Sequence, residues 1–95
     1  MGQIFWSSDA HQDLIAILDY FAECNVRAAQ RFADSLELKA DIYASQPEMG
    51  SLFPEAGEGI RCFLVHPYVV LYRPHEEGIL ILRIIYATRD IPSLM

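Results

Sequence analysis

Three apolar runs fill the last third of the chain, and they restrict the possible folds more than any other feature. They are IRCFLV at 60–65, YVVLYR at 68–73 and ILILRIIY at 79–86. β-Branched and aromatic residues dominate each run, as is typical of strands, and the segments between the runs are short. Because connections of this length join neighbouring antiparallel strands, the sequence predicts a three-stranded antiparallel meander.

Both faces of this predicted meander are apolar. Successive side chains of a strand point to opposite faces, so the last run divides into two sets. One set is Ile79, Ile81, Arg83 and Ile85, and the other is Leu80, Leu82, Ile84 and Tyr86. Covering apolar surface contributes about 25 cal/mol per Å², and soluble monomers rarely leave such a face open. We expect a second polypeptide to cover the face that carries Arg83, whose guanidinium would meet a partner carboxylate. Self-association and a C-terminal tail that folds back are the alternatives.

Two amphipathic helices are predicted in the first half of the chain. Apolar residues recur at helical spacing over about 8–23 and again over about 26–45. Ser7 or Ser8 is a suitable N-cap for the first helix, and Asn25 for the second. The connection between the helices is so short that they must return antiparallel, as a helical hairpin.

A short strand precedes the helices and a loop follows them. The strand is predicted at Gln3 to Trp6, and the loop, at 45–59, is punctuated by proline and glycine. Two helices can cover only one face of a sheet. The sequence therefore predicts one α+β domain over 1–95, with the order β-α-α-β-β-β and the hairpin packed on one face of a small, largely antiparallel sheet.

The charge is negative and unevenly distributed. Thirteen acidic residues outnumber seven basic ones, for a formal net charge of −6. The basic residues of the last third are Arg61, Arg73, Arg83 and Arg89. An acidic chain repels a nucleic-acid backbone at long range, so we expect no direct nucleic-acid binding.

No cofactor or metal site is expected from the sequence. The three histidines and two cysteines show no ligand spacing, and no segment follows a phosphate-binding pattern. Cys24 and Cys62 do not form a disulfide framework, so we expect reduced thiols in a cytoplasmic protein. No apolar run approaches the roughly 20 residues of a membrane span, so no membrane association is expected.

Taken together, the order of these segments resembles the ParE/RelE superfamily of bacterial toxins from type II toxin–antitoxin modules, and in particular its ParE-like branch. The resemblance covers nearly the whole chain. It is carried by SSDAHQDLIAILDYFAECN, by AAQRFADSLELKADIYASQPEMGSLFPE with its PEMG sequence, by GIRCFLVHPYVVLYR and by ILRIIYATRDIPSLM. The last stretch is the most specific, because ParE-like toxins typically have a hydrophobic strand containing arginine and then a segment similar to ATRDI. Tyr86 departs from the many members that have histidine there.

A partner is the first implication of this resemblance. Members of the superfamily are neutralised by an antitoxin whose disordered C-terminal region folds onto the toxin as a helix and a strand. The expected assembly is a hetero-oligomer with a cognate antitoxin. The residues expected to bind it are Arg61, Arg73, Ile79, Ile81, Arg83 and Ile85.

Two activities occur in the superfamily, and the basic residues bear on the choice between them. RelE-like members cleave messenger RNA on the ribosome, which needs a group that activates the 2′-hydroxyl, a proton donor and several cations. The best set that this chain offers is Arg61, Arg83 and Tyr86. Lys39, the only lysine, lies on a predicted helix, and the loop at 45–59 is acidic.

The scarcity of cations favours the second activity. ParE-like members bind DNA gyrase and trap its cleaved complex with DNA, without catalytic residues of their own. We therefore expect a binding toxin rather than an enzyme. By resemblance, the target-binding residues are Arg83, Tyr86, Arg89, Asp90, Ile91 and Leu94. A non-toxic homodimer whose sheet faces pair is a third hypothesis.

Overall fold

The computed structural model describes residues 2–87, which form two helices and five strands. The elements are β1 (Gln3–Trp6), α1 (Ser8–Cys24), α2 (Val26–Ser45), β2 (Ser51–Leu52), a 3₁₀ turn (Pro54–Ala56), β3 (Arg61–Val65), β4 (Tyr68–His75) and β5 (Gly78–Tyr86). The predicted α+β class and element order are confirmed. The two-residue strand β2 is an addition, because it lies within the segment predicted only as a loop.

The strands form one sheet in the order β1-β5-β4-β3-β2. The meander β3-β4-β5 is antiparallel, as predicted, with Phe63 opposite Val70 and Val70 opposite Ile84. β1 pairs with β5 in parallel, so the N-terminal strand forms one edge of the sheet. The helical hairpin is the connection that carries the chain away from β1.

Side-chain caps fix where both helices begin. The Ser7 hydroxyl accepts a hydrogen bond from the Ala10 N–H, and the Asn25 side chain accepts from the N–H groups of Arg27 and Ala28. These bonds satisfy backbone donors that have no partner within the helix. The Ser7 hydroxyl also donates to the Leu82 carbonyl at 2.9 Å, which joins the start of α1 to β5.

The main core lies between the hairpin and the sheet. Ala10 and Ile17 of α1 and four residues of α2 pack onto side chains of β3, β4 and β5. Aromatic rings fill much of this layer. Those of Tyr43 and Phe63 stack with centroids 4.4 Å apart, and the Tyr68 ring meets Phe32 edge-on at 5.4 Å.

A β-bulge in β5 overturns the predicted division of its side chains. Leu71 pairs with Arg83 and Tyr72 pairs with Ile81, so Leu82 has no opposite residue on β4. The extra residue shifts the alternation by one position. Consequently the predicted set Ile79, Ile81, Arg83 and Ile85 does not share a face. Ile79 and Ile81 point to the helices and are 0% exposed, whereas Ile85 packs in the cluster on the other face.

The face opposite the helices is also not bare. Its central side chains expose only 1–7% of their surface. They are Ile60, Cys62, Val69 and Leu71. Phe53 packs against them because its N–H donates to the Ile60 carbonyl at 2.8 Å, which folds the loop back. The prediction that this whole face requires a second polypeptide is therefore wrong for its centre.

Candidate functional site

The last strand joins α1 through an ion pair between Arg83 and Asp13. The guanidinium donates from Nε to Oδ2 at 2.7 Å and from Nη2 to Oδ1 at 3.2 Å. The Ile84 N–H donates to the same Oδ2 at 2.9 Å. β1 stops pairing with β5 at Ile81. Beyond that point the Asp13 carboxylate accepts a hydrogen bond from β5 that a neighbouring strand would otherwise accept. Arg83 is held by its own chain, although its side chain remains 50% exposed.

The protonation equilibria of both partners respond to this contact. Burial raises the pKa of Asp13, but the hydrogen bonds from Arg83 and Ile84, together with the guanidinium charge, outweigh it and hold that pKa below its ordinary value. The hydrogen bond and charge of Asp13 raise the pKa of Arg83 in turn. Each charge therefore favours the ionised form of the other.

Tyr86 ends β5, is the one aromatic residue of that strand and is 60% exposed. Its ring meets Tyr68 edge-on with centroids 5.5 Å apart. Burial raises the pKa of the Tyr68 phenol, and the neighbouring Tyr20 and Tyr86 raise it further. The Tyr68 hydroxyl is therefore protonated at neutral pH.

Arg61, at the start of β3, fastens the loop that follows α2. Its Nη1 donates to the Glu48 carbonyl at 2.9 Å and to the Gly50 carbonyl at 2.7 Å. The Tyr72 hydroxyl completes the contact, since it donates to the Pro47 carbonyl at 2.7 Å and accepts from the Gly50 N–H at 3.0 Å. A Cβ atom at Gly50 would collide with that hydroxyl. The PEMG sequence is thus the segment that Arg61 and Tyr72 clamp onto the sheet.

The candidate catalytic set of Arg61, Arg83 and Tyr86 is not brought together. Arg61 lies opposite Tyr72, whereas Tyr86 lies opposite Tyr68, four positions along β4. Four residues of a strand span about 13 Å. In addition, β4 lies between β3, which carries Arg61, and β5, which carries Tyr86. Arg83 shares a strand with Tyr86 and lies opposite Leu71, next to the position opposite Arg61. The two arginines are nevertheless on either side of β4, and Arg61 is engaged with its own loop.

The other predicted contact residues are dispersed. Arg73 projects near the loop before β3, with its Nη1 3.4 Å from the Glu58 carbonyl. Ile85 is half-buried on the face opposite the helices. Four predicted target contacts, Arg89, Asp90, Ile91 and Leu94, lie outside the described residues.

Ligand-binding features are few between residues 2 and 87. Within that range, no group of three His, Cys, Asp or Glu residues is placed to hold a metal ion. Neither helix is long and apolar enough to cross a membrane. Cys24 is exposed and Cys62 buried, both as free thiols, and burial together with the charge of Glu55 raises the pKa of Cys62. A raised pKa disfavours the thiolate, so Cys62 is a poor nucleophile.

Sequence reasoning missed Asp13 and Tyr72, which hold the two arginines and the loop in place. In the sequence Asp13 is one polar residue of an amphipathic helix, and 70 residues separate it from Arg83. Tyr72 lies within an apolar run that predicts a strand, and nothing beside it in the sequence indicates a role for its hydroxyl. No local pattern gives either contact, although a buried tyrosine generally needs a partner for its hydroxyl.

Three comparisons with known proteins each match most of the chain. A family model described as the ParE toxin of the type II toxin–antitoxin system parDE matches residues 4–91. "Toxin RelE2" of Caulobacter vibrioides is 37% identical over 89 residues, which cover 94% of this chain and 99% of that protein. A chain from the solved structure of a chromosomal ParDE toxin–antitoxin system of P. aeruginosa superimposes with a TM-score of 0.75 at 22% identity, over 93% of this chain and 98% of the other. The strand, helical hairpin and meander described above are therefore those of a toxin domain, and the chain belongs to the ParE toxin family of type II toxin–antitoxin systems.

Proposed function

We propose that this toxin acts by binding DNA gyrase, without catalysing a reaction, and that a cognate antitoxin neutralises it. The observation that carries the proposal is the dispersal of Arg61, Arg83 and Tyr86. A binding toxin needs an accessible surface, whereas a nuclease needs these groups around one phosphate.

The chemistry of RNA cleavage supports this choice. A metal-free nuclease positions a base, an acid and several cations within hydrogen-bond reach of the scissile phosphate. Here both candidate arginines already have partners, Arg61 in backbone carbonyls and Arg83 in a carboxylate. Burial also raises the pKa of Tyr68 and Tyr72, which opposes their use as bases.

The proposed gyrase-binding surface begins at the end of β5. Tyr86 and the half-exposed side chain of Arg83 are the described residues that belong to it. Arg89, Asp90, Ile91 and Leu94 would continue it along the chain. An aromatic ring beside a positive charge is a common composition for a binding hot spot.

The antitoxin would contact the rim of the face opposite the helices. Leu80, Leu82 and Ile85 are each half-buried there, and Arg73 is exposed beside them. An apolar rim of this kind gains from further burial even though its centre is already covered. Ile79 and Ile81, in contrast, are enclosed beneath the helices, and Arg61 is occupied by its loop.

Supercoiling assays with purified gyrase test the proposal. The wild-type toxin is expected to inhibit supercoiling and to accumulate cleaved DNA, whereas Tyr86→Ala and Arg89→Ala variants are expected to inhibit at least about tenfold less. Addition of the antitoxin should restore activity. Full gyrase activity at saturating toxin, with a falling translation rate, would refute the proposal.

Ribosome-dependent cleavage of messenger RNA is the second candidate, favoured by the name of the relative "Toxin RelE2". It predicts cut transcripts in a translating extract, and loss of the cuts in Arg61→Ala, Arg83→Ala and Tyr86→Phe variants. Intact transcripts after toxin induction would remove it.

A further inference from the structure

A groove of about 430 Å³ lies between the end of α1, one side of α2 and the turn that joins β3 to β4. Its floor is apolar. Phe32 and Val65 expose only 5% and 3% of their surface, and Phe21 and Pro67 are half-buried beside them. The residues that line it are Phe21, Ala28, Arg31, Phe32, Ser35, Lys39, Val65, His66 and Pro67.

The rim of this groove is polar and basic. Arg31, Ser35 and Lys39 follow one another at intervals of four residues, so they lie along one side of α2. His66 faces them from the turn, and no carboxylate lines the groove. This is unusual in a chain with a net charge of −6, because the first 59 residues contain only three basic side chains and two of them are here.

Neither cation is neutralised by a carboxylate in the described part of the chain. The ion pair between Arg83 and Asp13 is the only one found between residues 2 and 87. Lys39 instead donates from Nζ to the Leu64 carbonyl at 2.6 Å. β2 pairs only with Arg61 and Cys62, so Lys39 lies across the edge of β3 just beyond the end of β2. The two positive charges are therefore available to an incoming anion.

We propose that this basic groove binds an acidic, amphipathic segment of the antitoxin. Its apolar side chains would cover Phe21 and Phe32, and its carboxylates would pair with Arg31 and Lys39. Charge complementarity between a partner and such a rim accelerates association and selects the correct partner. The identity of the partner rests on the proposed function, whereas the location and charge of the site rest on the groove alone.

A second hollow on the opposite side of α2 has the opposite character. Ile4, Trp6 and Leu14 contribute apolar walls, and Glu37 and Asp41 are exposed at its rim. Its chemistry suits a basic segment. The two hollows therefore predict opposite effects of charge substitutions on the two sides of one helix.

The test compares Arg31→Glu with Arg27→Glu. Both side chains are exposed on α2, one helical turn apart, and both substitutions change the net charge equally, but only Arg31 lines the groove. Arginine and glutamate have similar helix propensities, so both variants should fold, as circular dichroism will verify. The probe is the purified cognate antitoxin, titrated into each toxin by calorimetry.

Arg31→Glu is expected to raise the Kd for the antitoxin at least about tenfold and to flatten the dependence of that Kd on salt, whereas Arg27→Glu should change the Kd less than about threefold.

Equal Kd values for the two variants would overturn the groove proposal and leave the proposed function standing. A larger effect from Glu37→Lys would also overturn it, by assigning the partner to the second hollow. Gyrase that is unaffected by toxin, with the Arg31 effect intact, would refute the proposed target and keep the groove. Failure of the wild-type toxin to bind the antitoxin would remove the partner and the groove proposal together.

Discussion

On one face of the sheet, two helices enclose residues such as Ile79 and Ile81 completely, whereas on the other a loop residue, Phe53, packs beside a smaller cluster. The helix-covered face has a continuous layer of aromatic and aliphatic side chains. The opposite face is fully buried only at its centre, and Leu80, Leu82 and Ile85 are partly exposed around it. The first face therefore supplies most of the stability of the domain, and the second combines modest stability with a surface open to a partner.

Truncation on the helix-covered face should produce the largest effect. Ile81→Ala removes a side chain that is 0% exposed and leaves a cavity between α1 and β5. The expected loss is about 3–4 kcal/mol in the free energy of unfolding, measured by urea denaturation. A loss under about 1 kcal/mol would mean that the helices do not enclose this position.

The second-largest loss of stability is expected on removal of the Tyr72 hydroxyl, which lies beneath the helices. Tyr72→Phe keeps the ring but leaves the buried Gly50 N–H and the Pro47 carbonyl without their partner. The expected cost is about 2 kcal/mol, because an unsatisfied buried donor loses its hydration without compensation. Hydrogen exchange at Gly50 should accelerate in parallel. Unchanged exchange there would contradict the proposed clamp.

The opposite face should respond less to truncation. Phe53 is half-buried, so Phe53→Ala is expected to cost about 1–2 kcal/mol, less than the full penalty for a buried phenylalanine. The same urea experiment measures it. A cost equal to that of Ile81→Ala would abolish the distinction between the two faces.

The smallest effect is expected at the join between α1 and β5, and it should depend on pH. Because Asp13 has a lowered pKa in the folded state, its ion pair stabilises the protein above the ordinary value of 3.8, and the stabilisation is lost as the pH falls through the lower folded-state value. Asp13→Asn is expected to cost about 1 kcal/mol at pH 7, since Arg83 is half-exposed and solvent screens the pair.

Thermal unfolding of Asp13→Asn and of the wild-type protein across a pH series tests this dependence. The difference between them should be full at neutral pH and should shrink in acid. Asp19→Asn, an exposed change on the same helix, is the control and should have little effect at any pH. A difference that persists unchanged at pH 2 would show that the contact is not electrostatic.

Local signals in the sequence were sufficient for most of the fold. Ser7 and Asn25 cap the helices close to where their chemistry predicted, and the short connections gave the meander. The bulge at Leu82 left no such signal, because apolar residues occupy every position from Ile79 to Leu82 and either alternation would bury them equally well. The cover that Phe53 provides was missed for a related reason, since proline and glycine indicate a loop but not where the loop packs.

The candidate site was less predictable than the fold. Arg83 was singled out correctly as an arginine that needs a carboxylate, but the carboxylate comes from α1 of the same chain. A contact between residues so far apart in the sequence follows from the packing of α1 on β5, and no short motif encodes it. Arg61 and Tyr86 were grouped by residue type, whereas the strand register separates them.

The bond from the Ile84 N–H to Asp13 also limits how another protein can engage this toxin. An exposed strand edge offers free amide groups that an extended peptide can join as an additional strand. Past Trp6, one of these amide groups on β5, that of Ile84, is already bonded to a side chain. A peptide that paired with β5 here would have to displace Asp13 from the Ile84 N–H, so we expect recognition at this end of the sheet to depend on side chains such as that of Tyr86.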